Sequence, residues 1–443
     1  MTESILWQKR TAGAPPASGS RRQRPLQRPA AGVRREYALF LAALGVVAVH
    51  IADDSFLQPE PGTAASDHLV SGLLPLAVLA LAAAAYPHLR AGLRVSIALA
   101  LGCFGIAAGV EGWYYTLEAD PSGDDYTGLL AVPAGLLLLC LAAATLWKTR
   151  RLDETRRRRH ARRFAIGVAG AVVAFEVVGG IVASYVLTHT ARPVLSAAHL
   201  GAAHEDVRFT TSDGLELAGW YMPSRNGAAV ITFPGRSDQT QRHARMLASH
   251  GYGVLLFDRR GDGQSEGDPY RWDGAKDVEA ALAFLQRQPD VDRDRIGGLG
   301  LSLGGELLLE AAAESQPLRA VVSEGAGVRT IREHMDTSDA GKWFLAPQMA
   351  VITGATAVFS NHAPPPNLKD LIGQIAPRPV FLIYATHGLG GEDINPTLYA
   401  AAGDPKTLWE IPEASHTGGL DARPTEYERR VVGFFDHALR EAK

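Results

Sequence analysis

Cysteine is nearly absent from this 443-residue chain: it has two, Cys103 and Cys140, both inside apolar stretches. Two such residues cannot build a disulfide framework, and they have no metal-ligand spacing, so no metal site is expected from them. A broad basic surface with interleaved aromatics is also missing, which argues against nucleic acid as a partner. The net charge of -3 conceals strong segregation, because Lys and Arg crowd into two blocks of the first half. Two loops, from Asp53 to His68 and from Glu111 to Tyr126, contain acids but no Lys or Arg at all. A chain this long has room for two or three domains.

What the chain does have, first, is long apolar runs. Residues 1–36 are rich in Arg, Pro, Ala, Gly and Ser without an apolar period. Such a segment cannot bury enough surface to offset its ordering entropy, so it reads as a disordered basic arm. Its apolar run starts too late for a signal peptide, and no cleavage site follows. Five apolar stretches come next, over 37–52, 69–86, 92–110, 128–147 and 164–187. About 20 mostly apolar residues cross a hydrocarbon core of about 30 Å, and the first stretch, ending near His50, Asp53 and Asp54, is the shortest. A transmembrane region of about five helices is therefore expected over 37–187. The alternative is a soluble all-α core.

Charge asymmetry points the same way. The arm carries Arg21, Arg22, Arg24, Arg28, Arg34 and Arg35; the turn between the second and third stretches holds Arg90 and Arg94. A dense block follows the fourth, with Lys148, Arg150, Arg151, Arg156 to Arg159, Arg162 and Arg163. Basic loops alternate with loops that have none, which under the positive-inside rule puts the arm in the cytoplasm and the chain after the fifth span outside. Trp113, Tyr114, Tyr115 and Trp147 fall where interfacial aromatics belong. The Ala-, Arg- and Gly-rich composition has the character of a high-GC bacterium, so the expected location is the bacterial plasma membrane. Glu176, in the middle of the fifth span, is costly there; it is read as a structural acid bonded to a neighbouring helix, with a conduit as the alternative.

From about 205 the pattern changes. Strands are expected over 207–211 and 215–222 around an Asp213-Gly214 turn, then over 228–233, 252–257, 296–299, 320–323, 380–384 and 407–411. Helices are expected over 239–250, 277–287, 306–313 and 424–439. Strands alternating with helices imply an α/β fold with a mostly parallel sheet covered on both faces. The interruption over about 328–376 reads as a lid, and its Trp343, Phe344, Pro347 and Met349 suggest an apolar pocket.

Gly300-Leu301-Ser302-Leu303-Gly304 falls between the strand at 296–299 and the helix at 306–313. A strand-to-helix turn of this type exposes a serine at the sheet edge, with glycines relieving the crowding. A hydroxyl needs a base to become a nucleophile. His416, in Pro412-Glu413-Ala414-Ser415-His416 after the last strand, follows the serine in the right order. The orienting acid should come between them. Glu392 and Asp393, in the loop after the strand at 380–384, are adjacent candidates, with Glu392 preferred; Glu324, ending the preceding strand, is a third. Backbone donors for an oxyanion are expected at Leu303, following the serine, and at Arg236, just past Pro234-Gly235.

Together these residues resemble the α/β-hydrolase superfamily over roughly 205–440, and within it the bacterial dienelactone-hydrolase-like and serine-aminopeptidase-like branch. The Asp258-Arg259-Arg260-Gly261-Asp262-Gly263-Gln264-Ser265 run resembles that family's Asp-x-Arg-Gly-x-Gly-x-Ser loop. Pro234-Gly235 stands where the family usually has His-Gly, and the family's acid is commonly Asp. The expectation is an α/β-hydrolase domain over 195–443 behind an all-α transmembrane bundle. It implies a serine hydrolase cleaving an ester, thioester or small amide, without metal or organic cofactor. Its expected partners are a small or lipid-like acyl substrate and membrane lipid. Acyl transfer to a lipid or envelope acceptor, and a non-catalytic ligand-binding domain, are the alternatives.

Overall fold

The computed structural model describes residues 31–441 except 119–122, 149–155, 194, 198, 199, 270, 271, 273, 315, 316, 387 and 389. The arm before residue 31, and Arg150 and Arg151 of the basic block, lie outside the described residues.

The first half is helical: α1 (Ala31–Ala52), α2 (Leu69–Ala85), α3 (Ala91–Ala108), α4 (Val110–Glu118), α5 (Asp125–Lys148), α6 (Arg156–Val173) and α7 (Gly179–Thr188). Among the described residues, five helical stretches are long and apolar enough to cross a membrane: Arg34–Leu57, Leu69–His88, Ala91–Leu117, Asp125–Lys148 and Phe164–Thr188. The first runs past its short apolar stretch because the polar residues that end that stretch face the bundle. His50 bonds the Ala108 carbonyl at 2.7 Å, and Thr127 donates to Asp53 at 2.9 Å. Helix α1 also starts inside the segment expected to be an arm, and Glu36 there accepts from Tyr86 and pairs with Arg94. Side chains at Gly102 or Gly135 would collide with the facing helix, so small residues let α3 and α5 pack closely. Glu176 is buried, and its Oε2 has no hydrogen-bond partner among the described residues.

The second half is one eight-stranded sheet: β1 (Glu205–Thr210), β2 (Glu216–Met222), β3 (Ala229–Phe233), β4 (Gly253–Phe257), β5 (Ile296–Leu301), β6 (Ala320–Glu324), β7 (Val380–Tyr384) and β8 (Lys406–Glu410). Their order is β1-β2-β4-β3-β5-β6-β7-β8. Only the β1–β2 and β2–β4 pairs are antiparallel; the rest are parallel, with Ile231 opposite Gly298 and Leu299 opposite Val322. Strands buried on both faces read as near-continuous apolar runs, and Ala229–Phe233 is buried at every residue.

The helices of this half are α8 (Asp238–Ser249), α9 (Ala275–Leu285), α10 (Leu303–Glu314), α11 (Ile331–Asp336), α12 (Lys342–Phe359), α13 (Leu368–Leu371), α14 (Asn395–Ala401), α15 (Gly419–Ala422) and α16 (Pro424–Phe435). One core packs Ile231, Phe257 and Val380 against Leu282, Leu308 and Leu368 of α9, α10 and α13. The other packs Val254, Leu299 and Ile383 against Leu247 of α8 and Val431 and Phe435 of α16.

The loops leaving the C-terminal ends of the parallel strands meet the helical half. After β4, Gly267 N–H donates to the Pro61 carbonyl at 2.8 Å. Arg192, in the segment joining the halves, donates to the Ser265 and Gly267 carbonyls and pairs with Glu60 at 2.6 Å. After β6 comes the region expected as a lid, α11 and α12, and α12 packs lengthwise on α7. Trp343 and Phe344 of α12, expected at an apolar pocket, are instead 72% and 67% exposed.

Candidate active site

Strand β5 ends at Leu301 and α10 begins at Leu303, so Ser302 alone makes the corner. It does so at φ 51°, a left-handed conformation that a non-glycine residue adopts at a cost of about 1–3 kcal/mol. The glycines around it are dictated by contact. A Cβ on Gly300 would strike the Gly304 carbonyl, one on Gly304 the Phe233 carbonyl, and one on Gly305 the Ser323 hydroxyl. The corner is pinned by the Ser302 amide, which donates to the Glu324 carbonyl at 2.7 Å.

His416 arrives from the loop after β8. Its Nε2 is 2.9 Å from Ser302 Oγ, and its Nδ1 is 2.5 Å from Glu392 Oε1. A carboxylate only accepts, so Nδ1 bears the proton and Nε2 is left to accept from the serine hydroxyl. Glu392 is 1% exposed, and its Oε2 accepts from the Ala385 amide at 2.8 Å. Asn395 donates to the Glu392 and Ala326 carbonyls at 2.8 Å, fixing the turn. The hydrogen bond to Glu392 raises the His416 pKa above the ordinary histidine value; burial opposes it, and the charges of Glu392, Glu306 and Glu324 add to it.

The two other candidate acids lie elsewhere. Asp393 faces away from His416 because the turn Glu392–Ile394 is a single 3₁₀ turn, entered through Gly391 at φ 83°. Its carboxylate accepts from Ser338 Oγ at 3.1 Å and the Asp339 amide at 2.9 Å, so it holds the segment between α11 and α12. Glu324 accepts from the Gly419 amide at 2.7 Å and from Tyr427 at 2.5 Å, which occupies its carboxylate beneath the histidine loop rather than on the imidazole. This brace, completed by Gln239 donating to Thr417 Oγ1 at 2.9 Å, had no sequence signal beyond the strand-end position of Glu324.

Of the two expected backbone donors, Leu303 is the first residue of α10, where an N–H has no intrahelical partner. Arg236 follows Gly235, which takes φ 67°, and the close contact of Gly304 with Phe233 brings this turn beside the start of α10. The Arg236 side chain is held away, paired with Asp258 and lying 4.7 Å over the Trp220 ring. The glycine-rich run after β4 is held by ion pairs of Arg260, with the buried Asp277 at 2.8 Å and with the more exposed Asp213 at 2.9 Å. Among the described residues no group of three or more His, Cys, Asp and Glu is placed to hold a metal ion.

Residues 222–376 match the family model of the X-Pro dipeptidyl-peptidase (S15 family). The chain is 28% identical over 251 residues to the uncharacterized protein YfhR of Salmonella typhi, covering 54% of this chain and 83% of that one. It is 31% identical over 187 residues to the thiohydrolase aneE of Aspergillus aculeatus, covering 40% and 58%. Among solved structures, an esterase of Pyrococcus furiosus superposes with a TM-score of 0.47 at 22% identity, over 57% of this chain and 98% of that one. The match spans β3 to β6 and includes the corner at Ser302. The sheet-forming half has an α/β-hydrolase fold, and residues 222–376 within it resemble the S15 family.

Proposed function

We propose that the protein is a membrane-anchored serine hydrolase working through an acyl-enzyme. The observation that carries this reading is the continuous relay from Ser302 Oγ through His416 to the buried Glu392. Ser302 Oγ bonds to the carbonyl carbon of an ester, thioester or small amide while its proton passes to His416 Nε2. The carbonyl oxygen, now an anion, takes hydrogen bonds from the Leu303 and Arg236 amides, and the α10 N-terminus favours its charge. As the bond to the leaving group breaks, His416 returns the proton to it. Water then gives its proton to His416, attacks the acyl carbon, and releases the acid and free Ser302. Glu392 keeps its charge throughout and stabilises the imidazolium.

The five apolar helices and the alternation of basic and non-basic loops support an anchor in the plasma membrane with the hydrolase domain on the extracytoplasmic side. The test is turnover of p-nitrophenyl acetate by the purified full-length protein. Ser302→Ala and His416→Ala should each lose it; turnover retained by Ser302→Ala would sink the mechanism.

A further inference from the structure

The side of the hydrolase domain that carries Ser302 is the side that meets the helical half. Ser302, Arg236, Glu392 and His416 all follow the C-terminal ends of parallel strands, as does the loop that docks on Pro61 and Arg192. The segment after β6 passes close against His416 at Gly325 and against the Glu392 turn, where Val328 donates to the Gly390 carbonyl at 2.8 Å. It then becomes α11 and α12. The segment that lines His416 and the Glu392 turn is therefore continuous with α12.

Helix α12 is unusual for a lid on a soluble enzyme. Its 18 residues, KWFLAPQMAVITGATAVF, contain one charge, Lys342, whose ammonium donates to the Met335 and Thr337 carbonyls. It runs parallel to the last part of the fifth apolar stretch, Phe164–Thr188, the partners rising together from Phe344 and Phe175 to Phe359 and Tyr185. Phe344 stacks on Phe175 at 5.9 Å, and Gln348 donates to the Phe175 carbonyl at 2.8 Å. Further along, Ser184 donates to the Ile352 carbonyl at 3.1 Å, and Phe359 packs edge-on to Tyr185 at 5.3 Å. Whatever solvent surrounds residues 175–188 must also surround the free side of α12. That side presents Trp343 and Phe344 beside Phe175 and Val177, all large, apolar and exposed. A patch of this type, continuous with a membrane-spanning helix, fits acyl chains.

We propose that α12 lies in the bilayer beside the fifth span, and that the acyl donor of Ser302 is a membrane lipid ester drawn from that leaflet along α12. The inference rests on the serine-hydrolase reading. Ser302 Oγ takes the fatty acyl group, the lysolipid leaves with the proton from His416, and water releases the fatty acid.

The full-length protein in vesicles of phosphatidylethanolamine and phosphatidylglycerol tests this in two ways. First, Trp343 is compared with Trp343→Phe for fluorescence quenched by lipids brominated on the acyl chain. The wild type should lose a larger share of its fluorescence than the variant, which retains Trp113 and Trp147. Equal quenching in the two, with Trp343 shielded by solvent or by a second copy of the chain, would overturn the proposal. Second, fatty-acid release is measured for Trp343→Asp/Phe344→Asp. Placing two carboxylates in hydrocarbon should lower it at least about tenfold, with p-nitrophenyl acetate turnover kept within about twofold. Unchanged lipid hydrolysis, or none by a wild type that turns over the soluble ester, would overturn the lipid assignment alone. Loss of soluble-ester turnover in the wild type would remove the serine-hydrolase reading and this one together.

Discussion

Replacing Glu392 by Gln changes one oxygen to an amide nitrogen in a site that is 1% exposed, so it removes charge with little change of shape. In the wild type the carboxylate accepts from His416 Nδ1 at 2.5 Å, and in the proposed mechanism it faces an imidazolium each time Ser302 is deprotonated. Two unit charges about 4 Å apart, at an effective dielectric of about 20, attract by about 4 kcal/mol. Losing that only when the imidazolium forms slows acylation by roughly a thousandfold. The glutamine amide can also donate to Nδ1, which moves the imidazole proton to Nε2 and blocks proton uptake from Ser302. The assay is kcat/KM for p-nitrophenyl acetate against pH. Only neutral His416 is a base, so activity is present above its pKa and disappears as pH falls through it. Glu392 raises that pKa, so the wild-type acid limb should lie above the ordinary histidine value and shift to lower pH in Glu392→Gln. Asp393→Asn, at the neighbouring carboxylate, should leave both rate and limb in place. A Glu392→Gln enzyme within about threefold of wild type, where the charge argument requires about a thousandfold, would refute this assignment of the acid.

Other perturbations separate the corner, the brace and the docking of the halves. Gly304→Ala forces a methyl onto the Phe233 carbonyl, and should cost more than about 2 kcal/mol of stability in thermal unfolding. Glu324→Gln leaves Tyr427 and the Gly419 amide poorly matched beneath the histidine loop. It should lower stability by about 1–3 kcal/mol and slow ester turnover without moving the acid limb as far as Glu392→Gln does. Arg192→Ala strands the Ser265 and Gly267 carbonyls and Glu60, and should lower the unfolding temperature in detergent by removing about 1–3 kcal/mol.

Much of the fold is legible in the sequence because its signals are local. The apolar lengths of the helical half, the Asp213-Gly214 turn and the alternation of strand and helix each depend on a few neighbouring residues. The serine corner is legible for the same reason: Gly300, Ser302 and Gly304 are needed within one turn. The acid is not local. Glu392 and Asp393 are adjacent and chemically alike, and what separates them is the 3₁₀ turn after Gly391, which points one inward and the other at Ser338. The exposure of α12 is not legible for a related reason. Its Trp343 and Phe344 are as apolar as pocket residues, and only their position beside Phe175 shows that they are exposed rather than enclosed. The first apolar stretch looked short because His50 and Asp53 are polar, whereas their partners Ala108 and Thr127 come from helices far along the chain.

The most direct measurement is covalent labelling of the full-length protein with a fluorophosphonate, followed by mass spectrometry of the labelled peptide. An activated serine predicts a single adduct on Ser302 that is absent from Ser302→Ala and forms far more slowly in His416→Ala. A folded wild type that takes no label, or takes it at another residue, would contradict the account at its centre.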